Sequence, residues 1–330
     1  MKRGLQRRRV LLGGLLLVSA QAIPTVSAGD GELPQGWQQP FPQVFPQLYL
    51  WRDVCNVWVI REQDSALLIC FGDGSILPSL ESLGIRRIER ILLPDHHREQ
   101  YQGLYRLPQL PAPVTVPQSE LSLFNEPGKY RRWRPTLGDE YSVYGASYVR
   151  PTPQPIVVEG VADGAVLEWQ GHELRCLATP GHSPGGLTFL ISSGGLKFGF
   201  SGGFMHDGAK LSRWYDSEWD YGFGKGIDTL LSSAARLQTA RPDVLLPAYG
   251  PVIRDAGRQL SEFQQRLVKF RTSYVRGYPV FDSTPEERDS ISTPTAVPLI
   301  SRVTPHLYKL SHQTQGRNFA IIVSDNGHGL

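Results

Sequence analysis

Cysteine is scarce in this chain: Cys55, Cys70 and Cys176 are the whole complement in 330 residues. All three sit in strand-like apolar runs, and none has metal-finger spacing, which excludes a cysteine-built zinc module. Buried free thiols are the ordinary reading. A Cys55–Cys70 bridge across a hairpin stays open, with one thiol left over. Long apolar runs are also missing. The stretch from Val10 to Ala20 is short of the ~20 residues that a bilayer span needs, and no other segment is longer, so no membrane span is expected in the mature chain. Nor is there a basic excess outside the N-terminus. The chain has 34 Lys and Arg against 31 Asp and Glu. Five of those bases, Lys2, Arg3, Arg7, Arg8 and Arg9, fall in residues 1–28, which hold no acid. Without them 29 bases face 31 acids, a net of −2. That balance excludes a nucleic-acid footprint.

The residues that are present suit a packed domain. Hydrophobic content of 40% with 10% aromatic is enough for a core and argues against disorder. At this length the chain holds one large domain with an extension, or two modest ones. Residues 1–28 read as an export signal: a basic start, a short apolar middle and a Val26-Ser27-Ala28 exit. Arg7-Arg8-Arg9-Val10-Leu11-Leu12 resembles a twin-arginine signal, with an ordinary secretory signal as the alternative. Either predicts an exported, periplasmic or extracellular protein, and the twin-arginine resemblance points to a bacterial one.

Three short strands are expected over Leu48–Arg52, Asn56–Arg61 and Ala66–Phe71. A short helix over Pro78–Leu83 and a strand over Arg87–Leu93 follow. Residues 105–155 carry nine prolines and read as irregular, with a basic-aromatic run at Lys129–Arg134 taken as a solvated turn. Strands resume at Ile156–Glu159, Ala165–Trp169, Glu173–Ala178 and Leu187–Ile191. Helices are predicted from the stripe Ile227, Leu230, Leu231, Ala234, Leu237 and from Leu260, Phe263, Leu267, Phe270, Tyr274. Residues 281–305 look like a linker. The main domain is therefore placed at 29–280 and a linker with a terminal hairpin at 281–330. Leu307-Tyr308-Lys309-Leu310 and Asn318–Val323 echo Leu48–Trp51 and Asn56–Arg61, which suggests the start of a second copy of the meander, or a docked hairpin with chance similarity.

Four segments carry chemistry. The first is Leu92-Leu93-Pro94-Asp95-His96-His97-Arg98-Glu99-Gln100-Tyr101-Gln102-Gly103, a strand end feeding a loop full of ligand-type side chains. The second is Thr179-Pro180-Gly181-His182-Ser183-Pro184-Gly185-Gly186, a sharp turn that projects an imidazole from a strand end. The third is Phe198-Gly199-Phe200-Ser201-Gly202-Gly203, and the fourth is Leu246-Pro247-Ala248-Tyr249-Gly250-Pro251. In this order they resemble the metallo-β-lactamase superfamily. The first segment is similar to its His-x-His-x-Asp-His-x-x-Gly motif, and the others to Thr-Pro-Gly-His-Ser/Thr-x-Gly, Phe-Ser/Thr-Gly-Asp and Leu-Pro-x-His-Gly-Pro.

The resemblance covers about residues 47–277. It implies an α/β fold, an αβ/βα four-layer sandwich with a metal cleft along one edge. Its first metal site maps to Asp95, His97 and His182, a two-His-one-carboxylate set suited to one Zn²⁺ or Fe²⁺. Its second site maps to Glu99, Gln100, Gly203 and Tyr249, of which only Glu99 is a good ligand. His96, His206 and Asp207 are the nearby substitutes, and His96 is expected to point away from His97. The implied activity is a mono-metal hydrolase of a small exported acyl substrate (amide, ester, thioester or lactone), with Glu99 as general base and Tyr249 as oxyanion donor. The alternative is an inactive module that binds a ligand, supports a second such domain or self-associates. Gly199-Phe200-Ser201-Gly202-Gly203 also fits a serine-hydrolase elbow, but Phe204-Met205-His206-Asp207-Gly208 is a turn where that motif needs a helix. Trp214, Trp219, Tyr221 and Phe223 suggest an aromatic cleft wall.

Overall fold

The computed structural model describes residues 33–104, 112–127, 157–211, 225–274, 293–296, 300–311 and 318–326. The stretch read as an export signal, the basic-aromatic run and the four aromatics at 214–223 lie outside them.

Two mixed sheets form the body. The first has seven strands in chain order: β1 (Trp37–Gln38), β2 (Leu48–Arg52), β3 (Asn56–Glu62), β4 (Ser65–Ile69), β5 (Arg87–Leu92), β6 (Val114–Pro117) and β7 (Glu159–Val161). Strands β1 to β4 are antiparallel neighbours, and β4 to β7 are parallel. Polar turns close the meander, and parallel pairing begins where a helical segment, the 3-10 turn Leu77–Leu83, intervenes before β5. The second sheet runs β12 (Val244–Pro247), β11 (Leu196–Gly202), β10 (Leu187–Ser193), β9 (His172–Ala178) and β8 (Val166–Trp169), with only β11–β12 parallel. A third sheet near the C-terminus joins β13 (Thr293–Pro294), β14 (Ile300–Thr304), β15 (Leu307–Ser311) and β16 (Asn318–Ile322).

Side-chain alternation on the second sheet separates two cores. Leu174, Cys176, Phe189, Ile191, Phe198, Phe200, Val244 and Leu246 pack with Val57, Trp58, Val59, Ile60 and Leu67 of the first sheet. Trp58 meets Phe200 edge-on at 6.2 Å, and Phe41 and Phe45 close on Phe198. The opposite positions Leu177, Leu190 and Leu245 face the apolar stripes of α2 (Lys225–Ala240) and α3 (Ala256–Tyr274), with Ile227, Leu230, Ala234, Leu237, Leu260 and Phe263 buried between them. Both helical stripes are thus core-facing, as expected.

The irregular reading of 105–155 is corrected in part. β6 and the short helix α1 (Leu121–Asn125) lie within it. They span four and five residues, too short for a periodic signal to stand out. Similarly, β13 and β14 fall inside the stretch read as linker; Ile300 and Val303 give β14 its β-branched character. All three thiols are free and buried. No helix among the described residues is long and apolar enough to cross a membrane.

Candidate metal centre

Strand β5 ends against both sheets. The Leu93 N–H donates to Thr115 O of β6 at 2.9 Å, and the Leu187 N–H at the start of β10 donates to Pro94 O at 2.9 Å. Pro94 cannot continue the ladder, so the chain leaves the sheet at Asp95. The Asp95 carboxylate then folds the loop on itself: Oδ1 accepts the His97 N–H at 3.0 Å, an Asx-type turn, and Gln100 Nε2 at 2.7 Å. The Phe71 and Gly72 N–H groups donate to Gln100 O at 2.7 and 3.0 Å, anchoring the far side of the loop to the end of β4. Gly103 is required there, since a Cβ would lie 2.5 Å from Gly74 N.

His182 arrives from β9 through a turn packed against α2. Gly181 has φ +125°, and a Cβ on it would lie 2.6 Å from Leu230 Cγ. Ser233 of α2 donates to Pro180 O at 2.7 Å, and the Thr179 N–H donates to Gly186 O at 2.8 Å. The fourth segment is held by Asn56, whose Nδ2 donates to Pro247 O at 2.9 Å and Gly250 O at 2.8 Å, and by Trp58 Nε1 to Pro247 O at 3.1 Å.

These constraints bring Asp95, His97 and His182 together. All three are buried, and one ligand-type atom from each lies within 4.8 Å of the others. His97 Nδ1 is 3.3 Å from Asp95 Oδ1, and the His97 and His182 rings cross edge-on at 4.3 Å. Two imidazoles and a carboxylate are a donor set that a small divalent ion accepts, and the 3.3 Å between His97 Nδ1 and Asp95 Oδ1 matches the ~3.3–3.6 Å spacing of tetrahedral ligands held at ~2.0–2.2 Å. The donor set therefore fits one ion. Burial pushes the Asp95 carboxyl up, but His97, His182 and the hydrogen bonds from Gln100 and the His97 N–H outweigh it and hold the group below its ordinary value.

The second-site positions behave differently from ligands. Gln100 is fully buried, donates to Asp95 and accepts from Cys70 Sγ at 3.5 Å, so its amide orients a first-site residue. At Gly203 a Cβ would overlap His182 Nε2 and sit 2.5 Å from its Cδ2, so a carboxylate there requires the His182 imidazole to shift. Positive φ belongs to the neighbouring Gly202, at +56°. Tyr249 is half-buried, its ring 6.2 Å from that of His206. Burial first, then the Asp95 and Glu99 carboxylates, raise its phenol well above the ordinary value and keep it protonated. Glu99 is half-buried within the 3-10 turn Arg98–Gln100. Asp207 does not fold back, since its Oδ1 accepts Gln259 Nε2 at 2.7 Å. His96 does not swing to the far side as expected: its ring lies 5.0 Å from that of His97, and its Nδ1 faces Glu120 across 3.3 Å. Among the described residues the Asp95–His97–His182 set is the one cluster of metal-ligand type. Sequence reading missed the supporting roles of Asn56, Gln100 and Glu120. The order of motifs flagged the loops but carried no signal for what braces them.

No family model matches the chain. Solved structures do. A metallo-β-lactamase family protein from Thermus thermophilus superposes with TM-score 0.52 at 21% identity over 68% of this chain and 80% of that one. A Cronobacter sakazakii metallo-β-lactamase named for a HARLDQ motif gives 0.53 at 18% identity over 73% and 95%. A B3 metallo-β-lactamase described by an active-site glutamic acid gives 0.53 at 19% identity over 73% and 91%.

Proposed function

We propose that this chain, which has the metallo-β-lactamase fold, is an exported mono-metal hydrolase of a small acyl substrate. The convergence of Asp95, His97 and His182 in one buried cluster carries the reading. Two neighbours support it. One has a six-residue motif ending in Gln, as Asp95–Gln100 does here, and another has a glutamic acid in its active site, so the fold accommodates departures of this kind.

Asp95, His97 and His182 would hold the ion, zinc or iron. When bound, it supplies Lewis acidity toward a carbonyl oxygen and toward water. The chain's own residues supply the rest. Gln100 fixes the Asp95 carboxylate through a 2.7 Å bond. Glu99, two residues past His97, is the general base that takes the proton from the attacking water and returns it to the leaving group. Tyr249, kept as a phenol by its surroundings, donates its O–H to the developing oxyanion. With glycine at 203 in place of a bridging carboxylate, the chain lacks a ligand that a two-metal clamp for phosphodiester hydrolysis would use, which favours acyl chemistry.

Metal analysis of the purified chain tests this. About one equivalent per chain is expected, falling towards zero in a His97→Ala, His182→Ala double variant. Two equivalents would refute the mono-metal reading. None, with no hydrolysis of ester, thioester, lactone or amide panels, would leave the inactive binding module that the lost second site also fits.

A further inference from the structure

We propose that Glu120 is the positioning residue of the metal centre, one carboxylate that sets the distance between the two ligand-bearing loops. The proposal rests on the metal reading above. Glu120 ends the 3-10 turn Gln118–Glu120, directly after β6. Its side chain and that of His96 are both fully buried. One oxygen, Oε1, makes both links: it stands 3.3 Å from His96 Nδ1 and accepts the Gly185 N–H at 2.8 Å. His96 lies between Asp95 and His97 in sequence, and Gly185 lies three residues beyond His182. The first loop leaves the seven-stranded sheet and the second leaves the five-stranded one. Glu120 therefore joins the two sheets at the point where their ligands meet.

Two observations separate this from simple packing. The approach is close enough to demand glycine, because a Cβ on Gly185 would lie 2.5 Å from Glu120 Cγ. The second carboxylate oxygen, Oε2, has no hydrogen-bond partner among the described residues. Burying a carboxylate with one oxygen unsatisfied is costly, and an apolar side chain of similar size would stabilise the fold better. A residue kept at that cost is better explained by what it holds in place. What it holds are ligands whose donor atoms must sit within a few tenths of an ångström of their required positions.

The test uses the full chain, titrated with Co²⁺ as an optical probe, in wild type, Glu120→Gln, Glu120→Ala and Gly185→Ala. Glu120→Ala and Gly185→Ala should bind Co²⁺ ~10–100-fold more weakly, with altered ligand-field spectra, the range seen when outer contacts of a metal site are removed. Glu120→Gln keeps an oxygen for the Gly185 N–H and should recover much of the affinity. In metal-free protein, the Gly185 amide should lose exchange protection in Glu120→Ala. Unchanged Co²⁺ affinity and spectrum in folded Glu120→Ala or Gly185→Ala, with only a lower melting temperature, overturns the proposal in favour of a purely structural role. Absence of Co²⁺ binding by the wild type is a separate result; it overturns the metal reading, and the positioning role with it.

Discussion

Replace Gly203 with aspartate and the family's bridging carboxylate is restored in sequence, yet metal binding should get worse. The reason is spatial. A Cβ at 203 would overlap His182 Nε2, with Cδ2 at 2.5 Å, whereas ordinary contact begins near 3.4 Å. The imidazole must retreat by about 1 Å, several times the ~0.2 Å tolerance of a metal bond. The loop backbone is held by Ser233 and packed on Leu230, so the ring has to turn about its own side-chain bonds, away from its ligand position. Overpacking of this kind costs ~1–3 kcal/mol, or roughly 2–12 °C in melting temperature at this domain size. Withdrawing one of three ligands should weaken the site by at least ~100-fold, about 2.7 kcal/mol. Elemental analysis and scanning fluorimetry of Gly203→Asp should give well under one equivalent and a lower melting temperature. Adding Gln100→His and Tyr249→His should not rescue it, since neither relieves the overlap. A variant that melts like wild type and binds two ions would show that His182 moves aside readily and that this account of the second site is wrong.

Three further outcomes are expected. Gln100→Leu removes the bond to Asp95 at similar volume and should weaken Zn²⁺ binding ~10-fold in a competition titration; an unchanged affinity would mean Asp95 orients itself. Asn56→Ala strips the hydrogen bonds to Pro247 O and Gly250 O and should cost ~1–3 kcal/mol in urea denaturation, a loss absent if water replaces them. Asp53 gives a pH signature: burial first, partly offset by the Cys55 N–H, and then the nearby Asp73 leave its carboxyl raised from 3.8 to about 6. The folded state thus holds this proton more tightly than the unfolded chain, so its contribution is complete below 3.8 and lost as pH rises through about 6. Relative to wild type, Asp53→Asn should therefore gain stability between about pH 4 and 6.5, and an equal difference at both pH values would refute the assignment.

The fold was legible because its signals are long or repeated. Seven-residue strands such as β3, β9 and β10 and the stripes of α2 and α3 read directly from apolar spacing. Turn motifs marked the loops that carry Asp95, His97 and His182, and the fold brought those three together. The braces were not legible, because each acts through a contact that only the folded chain creates. Gln100 looks like a lost ligand until its loop closes and its amide meets Asp95 five residues back. Glu120 lies in a proline-rich stretch, 65 positions from Gly185, with no local pattern to mark it. Gly203 could be read as a missing carboxylate; that His182 occupies the space is a fact about two loops, one between β9 and β10 and one after β11.

The C-terminal sheet poses the converse case, in which sequence similarity anticipates pairing but not burial. In the first hairpin Leu48 pairs with Ile60, Tyr49 with Val59, Leu50 with Trp58, Trp51 with Val57 and Arg52 with Asn56. In the second, Leu307 pairs with Ile322, Tyr308 with Ile321, Lys309 with Ala320, Leu310 with Phe319 and Ser311 with Asn318. Set side by side, the two registers coincide, as a second copy of the meander requires. The burial differs. Leu48, Val59 and Ile60 are in the main core, whereas Ile322 is 54% exposed and, among the described residues, neither core has a buried member beyond Leu267. Among its described side chains, the hairpin therefore copies strand pairing without joining either buried core. A chain ended after Tyr278 should keep both cores and melt within a few degrees of the full chain. Aggregation or a far lower melting temperature would show that the third sheet is an integral layer of the domain.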